Sequence, residues 1–503
     1  MINFAPNVYM MQYLTATKQN TPESTEKLLR FMKLGYQREL LYLRSNGSYS
    51  AFGNADDSGS TWLTAFVLKS FVQAKAFIYI DDSSLNRTRV WLMDSELDRS
   101  GCVIQVGKVF SKGLKGGLQG KGSPVPLTAY VLIALLEAGA PADAPIVLQT
   151  TRCVLGDMTR DPYTIALKAY ALALAGHPRY TAVLLQLLEL AVEDDEGMYW
   201  EVQRMFYRSN SLAVETAGYA IMAMMANPER YLLDARKIVK WITTKRNGYG
   251  GFYSTQDTIV ALQALASYET NTYEGKLDVV ATVTSFSFRE SEKVQQSQQF
   301  QQSQKLQYKR SVPTVGNLVH EFIINEDSKL LQQQVSLPDF PTYVKISMEG
   351  QGCAVMQAVL RYNVPVAEPS DAFSLKVDGD NAPGRDCARK RIRACSAYIL
   401  PDGESNMAVI EVNLISGFIP VKDDLKAVVR RNPKVIKRYE VDGSKVSFYI
   451  EEFTAEEVCV AFNILREVEV ENTKPGTVVV YDYYEPDFAV STTYAFPYVE
   501  GCD

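Results

Sequence analysis

Residues 246–268, RNGYGGFYSTQDTIVALQALASY, restate a pattern already met at residues 44–71, RSNGSYSAFGNADDSGSTWLTAFVLKSF. Each copy runs from a basic residue through Asn-Gly and an aromatic to a small polar turn, then into an apolar helix. Glycine supplies the positive φ that reverses a chain, and Ser58 or Ser60, like Ser254 or Thr255, offers an N-cap oxygen to the helix behind it. The repeated phrase therefore reads as architecture: a turn that delivers the chain into the next helix.

The same apolar helix recurs through the first half, centred near Ala65, Ala129, Ala169, Ala217 and Ala261, at intervals of about 40–65 residues. Apolar and small residues fall at i, i+3, i+4 and i+7, and longer amphipathic segments such as TEKLLRFMKLGYQRELLYL lie between the copies. Units of two helices at such a period bury their faces only by stacking on one another. Small-residue helices suit a crowded inner ring and amphipathic ones an outer ring, so residues 1–268 are expected to form an α/α toroid.

Beyond about residue 273 the period changes to two, as in LDVVATVTSFSF, YVKISMEGQGCAVMQAVLRYNV, MAVIEVNLISGF, KVSFYIEEF and TVVVYDYYE. The Gln-rich stretch KVQQSQQFQQSQKLQYKR is read as a solvent-edge strand. NVPVAEPSD, near 363–371, reads as a linker, giving two all-β units at about 270–365 and 370–503. GFIPVKDDLKAVVRR inserts one short helix into the second.

Composition narrows the function. Hydrophobic residues at 47% and charged residues at 22% are ordinary for a globular chain, and a net charge of -6 argues against nucleic acid as a main partner. No apolar run is long enough to span a membrane, and MINFAPNVYMMQYL lacks the basic start of a secretory leader. No GxGxxG, P-loop, HExxH or GxSxG motif occurs.

Toroid enzymes such as prenyltransferases and terpenoid cyclases are the alternative class. A prenyltransferase holds zinc with Asp, Cys and His, but Asp257 is followed by Thr258 and Ile259 with no histidine nearby. A cyclase needs an acidic proton donor, and Asp56 with Asp57 sits in an Asn/Gly/Ser turn where carboxylates usually cap. His177 and His320, the two histidines, read as structural. No cofactor or metal is expected, and the chain reads as non-enzymatic.

Taken in order, GYQRELLYLRSNGSYSAFGNADDSGSTWLTAFVLKSF, LTAYVLIALLEAG, GGFYSTQDTIVALQALA, SNMAVIEVNLISGFIPVKDDL and VVVYDYYEPDFAV resemble the C-terminal half of the alpha-2-macroglobulin and complement thioester-protein superfamily. The likeness looks nearest to insect thioester-containing proteins and their lipid-anchored vertebrate cell-surface relative. It implies a toroidal thioester domain (1–268), the C-terminal part of a CUB β domain (270–365) and a macroglobulin receptor-binding β-sandwich (370–503). It also implies an extracellular, secreted or cell-surface protein that traps proteases and tags microbial or damaged surfaces in innate immunity. A non-covalent adhesive or junctional protein on the same scaffold is the other reading.

The family's reactive Gly-Cys-Gly-Glu-Gln-Asn would precede the helix that starts at Met1, so the thioester Cys and Gln are expected to lie outside this chain, as is any leader, through truncation. The complement-type catalytic histidine falls on Ser111, or on Phe110 if the register slips, and no histidine precedes His177. A serine hydroxyl without a base is a poor nucleophile, which implies direct reaction with amines rather than sugar hydroxyls.

By the same resemblance, Cys102 pairs with Cys153 and Cys395 with Cys459, leaving Cys387 for Cys502; macroglobulins instead join the Cys395 position to the C-terminal one. Cys353 would be unpaired. Lys422 and Lys426, one helical turn apart, match the lysines that engage an endocytic receptor of the low-density lipoprotein receptor family. Asn46 and Asn86 head glycosylation sequons. RDCARKRIR at 385–393 reads as a processing site or, by preference, a basic strand edge.

Overall fold

The computed structural model describes every residue except 2–3, 54–55, 108–122, 205–206, 249, 274, 276, 288–317, 330, 338–341, 353, 361–369, 382–387 and 498–503. Helices fill the first half. They are α1 (Ala5–Ala16), α2 (Pro22–Leu40), α3 (Thr61–Ala74), α4 (Asp82–Met93), α5 (Val125–Glu137), α6 (Pro145–Gly156), α7 (Pro162–Leu174), α8 (Tyr180–Leu188), α9 (Asn210–Met224), α10 (Pro228–Thr244) and α11 (Thr255–Thr272).

The odd-numbered helices close a ring. α1 packs on α3, α3 on α5, α5 on α7, α7 on α9, α9 on α11, and α11 returns to α1. Each even-numbered helix backs the odd-numbered helix before it, so the α/α toroid is present with nested inner and outer rings. Composition explains the sorting. In α9 every residue from Ser211 to Met224 is buried, whereas α10 buries only Tyr231, Ala235, Ile238, Trp241 and Ile242 along one stripe. Alanine and glycine at the inner contacts let helices approach closely: a Cβ on Gly218 would come within 2.8 Å of a Val260 methyl.

The repeated phrase acts as a fastener at the entrance to inner helices. The Thr64 hydroxyl accepts the Tyr49 N–H at 2.9 Å, Thr128 accepts that of Val103 at 3.0 Å, and Thr258 accepts that of Phe252 at 3.0 Å. Of the alternative caps, Ser60 accepts the Leu63 N–H at 3.3 Å, and Ser254 accepts the Asp257 N–H at 3.3 Å. Gly47 turns at φ +90 against α4, where a Cβ would lie 2.8 Å from the Arg87 carbonyl carbon. Glycine is required there.

The hub of the ring is polar. Lys69 of α3 and Glu137 of α5 form a buried ion pair at 3.6 Å, and Glu137 also accepts bonds from Gln73, Tyr170 and Gln263 at 2.8, 2.7 and 3.0 Å. Every donor in that set comes from an inner helix, so the pair ties the ring across its axis.

The second half holds β3 (Asp278–Ser287), β4 (Leu318–Asn325), β5 (Thr342–Gln351), β6 (Phe373–Asn381), β7 (Arg389–Tyr398), β8 (Ala408–Asn413), β9 (Phe418–Pro420), α12 (Lys422–Arg431), β10 (Ile436–Asp442), β11 (Lys445–Ile450), β12 (Val458–Arg466), β13 (Gly476–Asp482) and β14 (Ala489–Tyr494). A short hairpin, β1 (Val192–Asp194) with β2 (Gly197–Tyr199), precedes α9. Residues Tyr273–Leu360 form a compact body of their own, an antiparallel sheet ordered β4-β3-β5.

Met1–Thr272 and Arg361–Asp503 form the other body. Its β part is a sandwich of a five-stranded sheet (β10-β11-β8-β13-β14) and a four-stranded sheet (β6-β7-β12-β9). The period of two does its work here: Val446, Phe448 and Ile450 on β11, with Val460, Phe462 and Ile464 on β12, are all buried in one core.

Several sequence expectations require correction. The basic run does not lie at a sheet edge: β7, which carries Arg389, Arg391 and Arg393, sits between β6 and β12. Its alternate residues Ile392 and Ala394 reach the core, which keeps the strand internal. YVKISMEGQGCAVMQAVLRYNV is not one long strand, because β5 ends at Gln351 between Gly350 and Gly352, both at positive φ. MAVIEVNLISGF divides into β8 and β9 at Gly417, whose φ of +87 breaks the extended run. The Gln-rich segment and most of the proposed linker lie outside the described residues.

Candidate functional site

Among the described residues, a polar and aromatic junction lies where the β13–β14 turn of the sandwich meets the N-terminal ends of the inner helices. Tyr484 packs its ring edge-on to Trp62 of α3, at 6.2 Å between centroids, and both it and Met407 belong to the apolar core of the toroid. The Tyr483 and Thr255 hydroxyls lie 3.2 Å apart. Asn210 donates to Asp487 at 3.1 Å, and Phe488 meets Tyr207 edge-on at 4.6 Å. At the centre, the Ser209 hydroxyl donates to the Glu485 carboxyl while accepting the Leu212 N–H at 3.1 Å as the cap of α9. One serine thus terminates a toroid helix and holds the sandwich.

Asp482 organises the turn. Its carboxylate accepts the Asn406 N–H at 3.0 Å, the Tyr484 N–H at 2.9 Å and the Glu485 N–H at 3.0 Å, and it also bonds the Asn406 amide. A second contact reinforces the joint. The Arg438 guanidinium of β10 donates to Tyr42 at 2.8 Å and lies over the rings of Tyr449 and Phe52.

The electrostatics are lopsided. Glu215, Asp257, Asp482 and Glu485 are all buried, together with Asp161, while Arg204 is the arginine drawn in among them. Arg204 pairs with Asp161 at 3.4 Å. Loss of water raises each of the four carboxyls. Burial pushes Glu215 up to about 8, helped by the charge of Asp257. Asp257 rises to about 7 despite bonds from the Ser254 and Tyr253 N–H groups, and Asp482 to about 6. Burial holds Glu485 well above the usual carboxylate range, with Asp482 and Asp257 adding to the effect.

Asp257 and Asp56, weighed above as a zinc ligand and a proton donor, are both committed to turns. Asp257 accepts the Ser254 and Tyr253 N–H groups at 2.9 and 3.2 Å, and Asp56 accepts the Phe52 N–H at 2.9 Å. His177 accepts the Arg179 N–H at 3.2 Å in a helix-ending turn, and His320 packs on Phe322. Among the described residues, the cluster with metal-ligand spacing is Cys395, Glu457 and Cys459, whose two sulfurs are joined in a disulfide.

The structure pairs Cys102 with Cys153, and Cys395 with Cys459 across directly opposed positions of β7 and β12. Cys353, Cys387, Cys502, Ser111 and Phe110 lie outside the described residues. Lys422 and Lys426 are exposed on α12, whose Leu425 and Val428 face the core. Of the two intervening acids, Asp424 turns inward to Asn463 at 2.6 Å and Asp423 pairs with Lys426 at 3.1 Å. Asn46 and Asn86 are exposed and their sequons meet, since Thr88 donates to the Gly47 carbonyl at 2.8 Å. No helix among the described residues is long and apolar enough to cross a membrane.

Sequence reasoning quoted the Asp482–Asp487 turn without giving its residues a role. A run of acids and tyrosines at a strand end looks like a solvated loop, and its partners are some 276 residues away.

Residues 1–268 match the A-macroglobulin TED domain, the helical toroid, and residues 403–495 match the A-macroglobulin receptor binding domain, the sandwich. The chain belongs to the alpha-macroglobulin family. It is 34% identical over 505 residues to ovostatin of Gallus gallus, an alignment covering 97% of this chain and 32% of ovostatin. The chain therefore spans about a third of the length of that curated relative. Family membership favours the non-enzymatic reading over the toroid enzymes.

Proposed function

We propose that this chain is the thioester-domain and receptor-binding part of an extracellular alpha-macroglobulin that traps proteases and is then cleared by a receptor. The observation that carries this reading is the coincidence of both family domains with a built joint between them, centred on Ser209 and Glu485. Residues 1–268, 270–365 and 370–503 serve as toroid, partial CUB domain and receptor-binding sandwich. The narrower kinship with insect thioester proteins, and a role in tagging surfaces for innate immunity, rest on the motifs quoted above.

Lys422 and Lys426 are the proposed receptor contacts. Leu425 and Val428 anchor the helix, so both ammonium groups face solvent, and the inward turn of Asp424 removes one acid from that face. Acidic, calcium-loaded receptor modules of the low-density lipoprotein receptor family are the partner this charge suits. With Ser111 at the histidine position, a thioester in the full-length protein reacts with amines directly. Asn46 and Asn86 carry glycans, and Cys387 pairs with Cys502.

Two measurements test the proposal. Full-length protein offered trypsin-like proteases and labelled methylamine should trap the protease and incorporate amine, with little ester formed from glycerol. Receptor-dependent uptake of the chain should fall about tenfold or more in Lys422→Ala, Lys426→Ala, two buried charge contacts being worth that much. Unchanged uptake removes the lysines from the proposal, and absence of protease capture removes the trapping function.

A further inference from the structure

The joint brings two acids of the sandwich turn, Asp482 and Glu485, onto a toroid pole that already buries Asp161, Glu215 and Asp257. The cation set among them is Arg204, whose contact is with Asp161 and whose charge also acts on Glu215 and Glu485. Lys69, at the hub, acts on Glu215. Asp402 and Asp487 add acids from the sandwich side, and Tyr163, Tyr207, Tyr253, Tyr483 and Tyr484 are titratable hydroxyls around them. Glu485 and Asp257 act on each other across the joint, one from each domain. Like charges in a low-dielectric contact repel by several times their strength in water. A contact with this excess of buried acids is self-consistent only when some of them carry protons.

The acids differ in how well they are supplied with donors. Asp482 has backbone and amide N–H groups on its carboxylate and suits the charged form. Glu215 has the Tyr163 hydroxyl at 3.1 Å, and Glu485 has the Ser209 hydroxyl. Those two are poorly solvated as anions.

We propose that the toroid–sandwich joint is held by protons: it is closed while Glu485, Asp257 across the joint from it and Glu215 next to Asp257 are neutral, and it opens as they ionise. The direction follows from linkage. A carboxyl whose folded pKa lies above its unfolded value stabilises most at low pH, and that contribution is lost as pH rises through the folded value. Asp257 at about 7 and Glu215 at about 8 place the loss across near-neutral to mildly alkaline conditions. The joint is therefore tightest in acid and loosens toward alkaline solution. This inference concerns the chain itself and stands whether or not the clearance function does.

The test is hydrogen exchange on the full 503-residue chain, followed at residues 482–488 and 207–212 and corrected for the intrinsic pH dependence of exchange. Between about pH 6 and pH 8.5 the opening equilibrium of these segments should rise at least ~10-fold, one linked proton giving about tenfold per pH unit. The inner-helix segment 127–135 exchanges by global unfolding of the same body and serves as internal reference, expected to stay better protected than the joint segments at every pH. Glu485→Gln, which keeps the shape and removes the titration, should keep the joint closed at the alkaline end; Asp257→Asn should do so in part. Circular dichroism establishes that each variant is folded, and if Glu485→Gln is not, the wild-type profile decides. Protection at 482–488 that is flat with pH, that rises with pH, or that falls equally in Glu485→Gln overturns the proposal.

Discussion

Ser209 and Glu485 lie 276 residues apart and share a hydrogen bond at the centre of the toroid–sandwich joint. Because the same serine hydroxyl caps α9 through the Leu212 N–H, helix stability and domain attachment are coupled at one atom. Ser209→Ala removes both. The expected cost is about 1–3 kcal/mol, the sum of a lost cap and a lost buried hydrogen bond. Urea unfolding followed by tryptophan fluorescence checks it, and a loss well below 0.5 kcal/mol would show that the bond is not formed in solution.

The ion pair at the hub makes a sharper prediction. Glu137→Ala leaves Lys69 buried with its carboxylate removed, an outcome that costs about 3–5 kcal/mol. Replacing both, as Lys69→Met with Glu137→Gln, should recover much of that loss, because the paired desolvation is relieved together while the amide oxygen still accepts from Tyr170 and Gln263. Thermal and urea denaturation of the single and double variants distinguish the two outcomes.

How much of this was visible in the sequence varies by element. The inner helices were legible because Ala, Gly and Thr on every face of a segment such as α9 signal burial all round. The sandwich strands β8, β11 and β13 are legible through their alternation. β7 reads from the sequence as an edge rather than an internal strand, since the basic run from Arg389 to Arg393 masks its inward Ile392 and Ala394. β4 was missed because His320 and Glu321 interrupt its pattern. The joint could not be read at all: nothing local at Asp482–Glu485 records that its partners are Ser209, Thr255 and Trp62.

Stability should also report the buried acids. Their raised folded values predict that the Met1–Thr272 and Arg361–Asp503 body unfolds least readily in mild acid and progressively more readily as pH climbs toward about 8, the shares of Asp482, Asp257 and Glu215 being fully lost by about 6, 7 and 8. Denaturation midpoints between about pH 5.5 and pH 8.5 measure this, with Asp257→Asn flattening the slope. A midpoint that rises over that interval has the wrong sign for this account.

The Cys102–Cys153 bond spans 51 residues of the toroid. Chain-entropy arguments give such a closure about 4 kcal/mol, so Cys102→Ser with Cys153→Ser should lower stability by up to that amount. The joint itself should keep its hydrogen-exchange protection relative to the rest of the toroid, since neither cysteine touches it.

The central claim is that the sandwich turn sits on the inner-helix pole, and a double-mutant cycle between Trp62 and Tyr484 tests it most directly. Trp62→Leu, Tyr484→Leu and the double variant of the full chain are compared by urea denaturation. The edge-on contact at 6.2 Å predicts a coupling energy of about 0.5–1.5 kcal/mol. Strictly additive effects, with each single change destabilising but no coupling, would contradict the placement of Tyr484 against Trp62 and with it the joint.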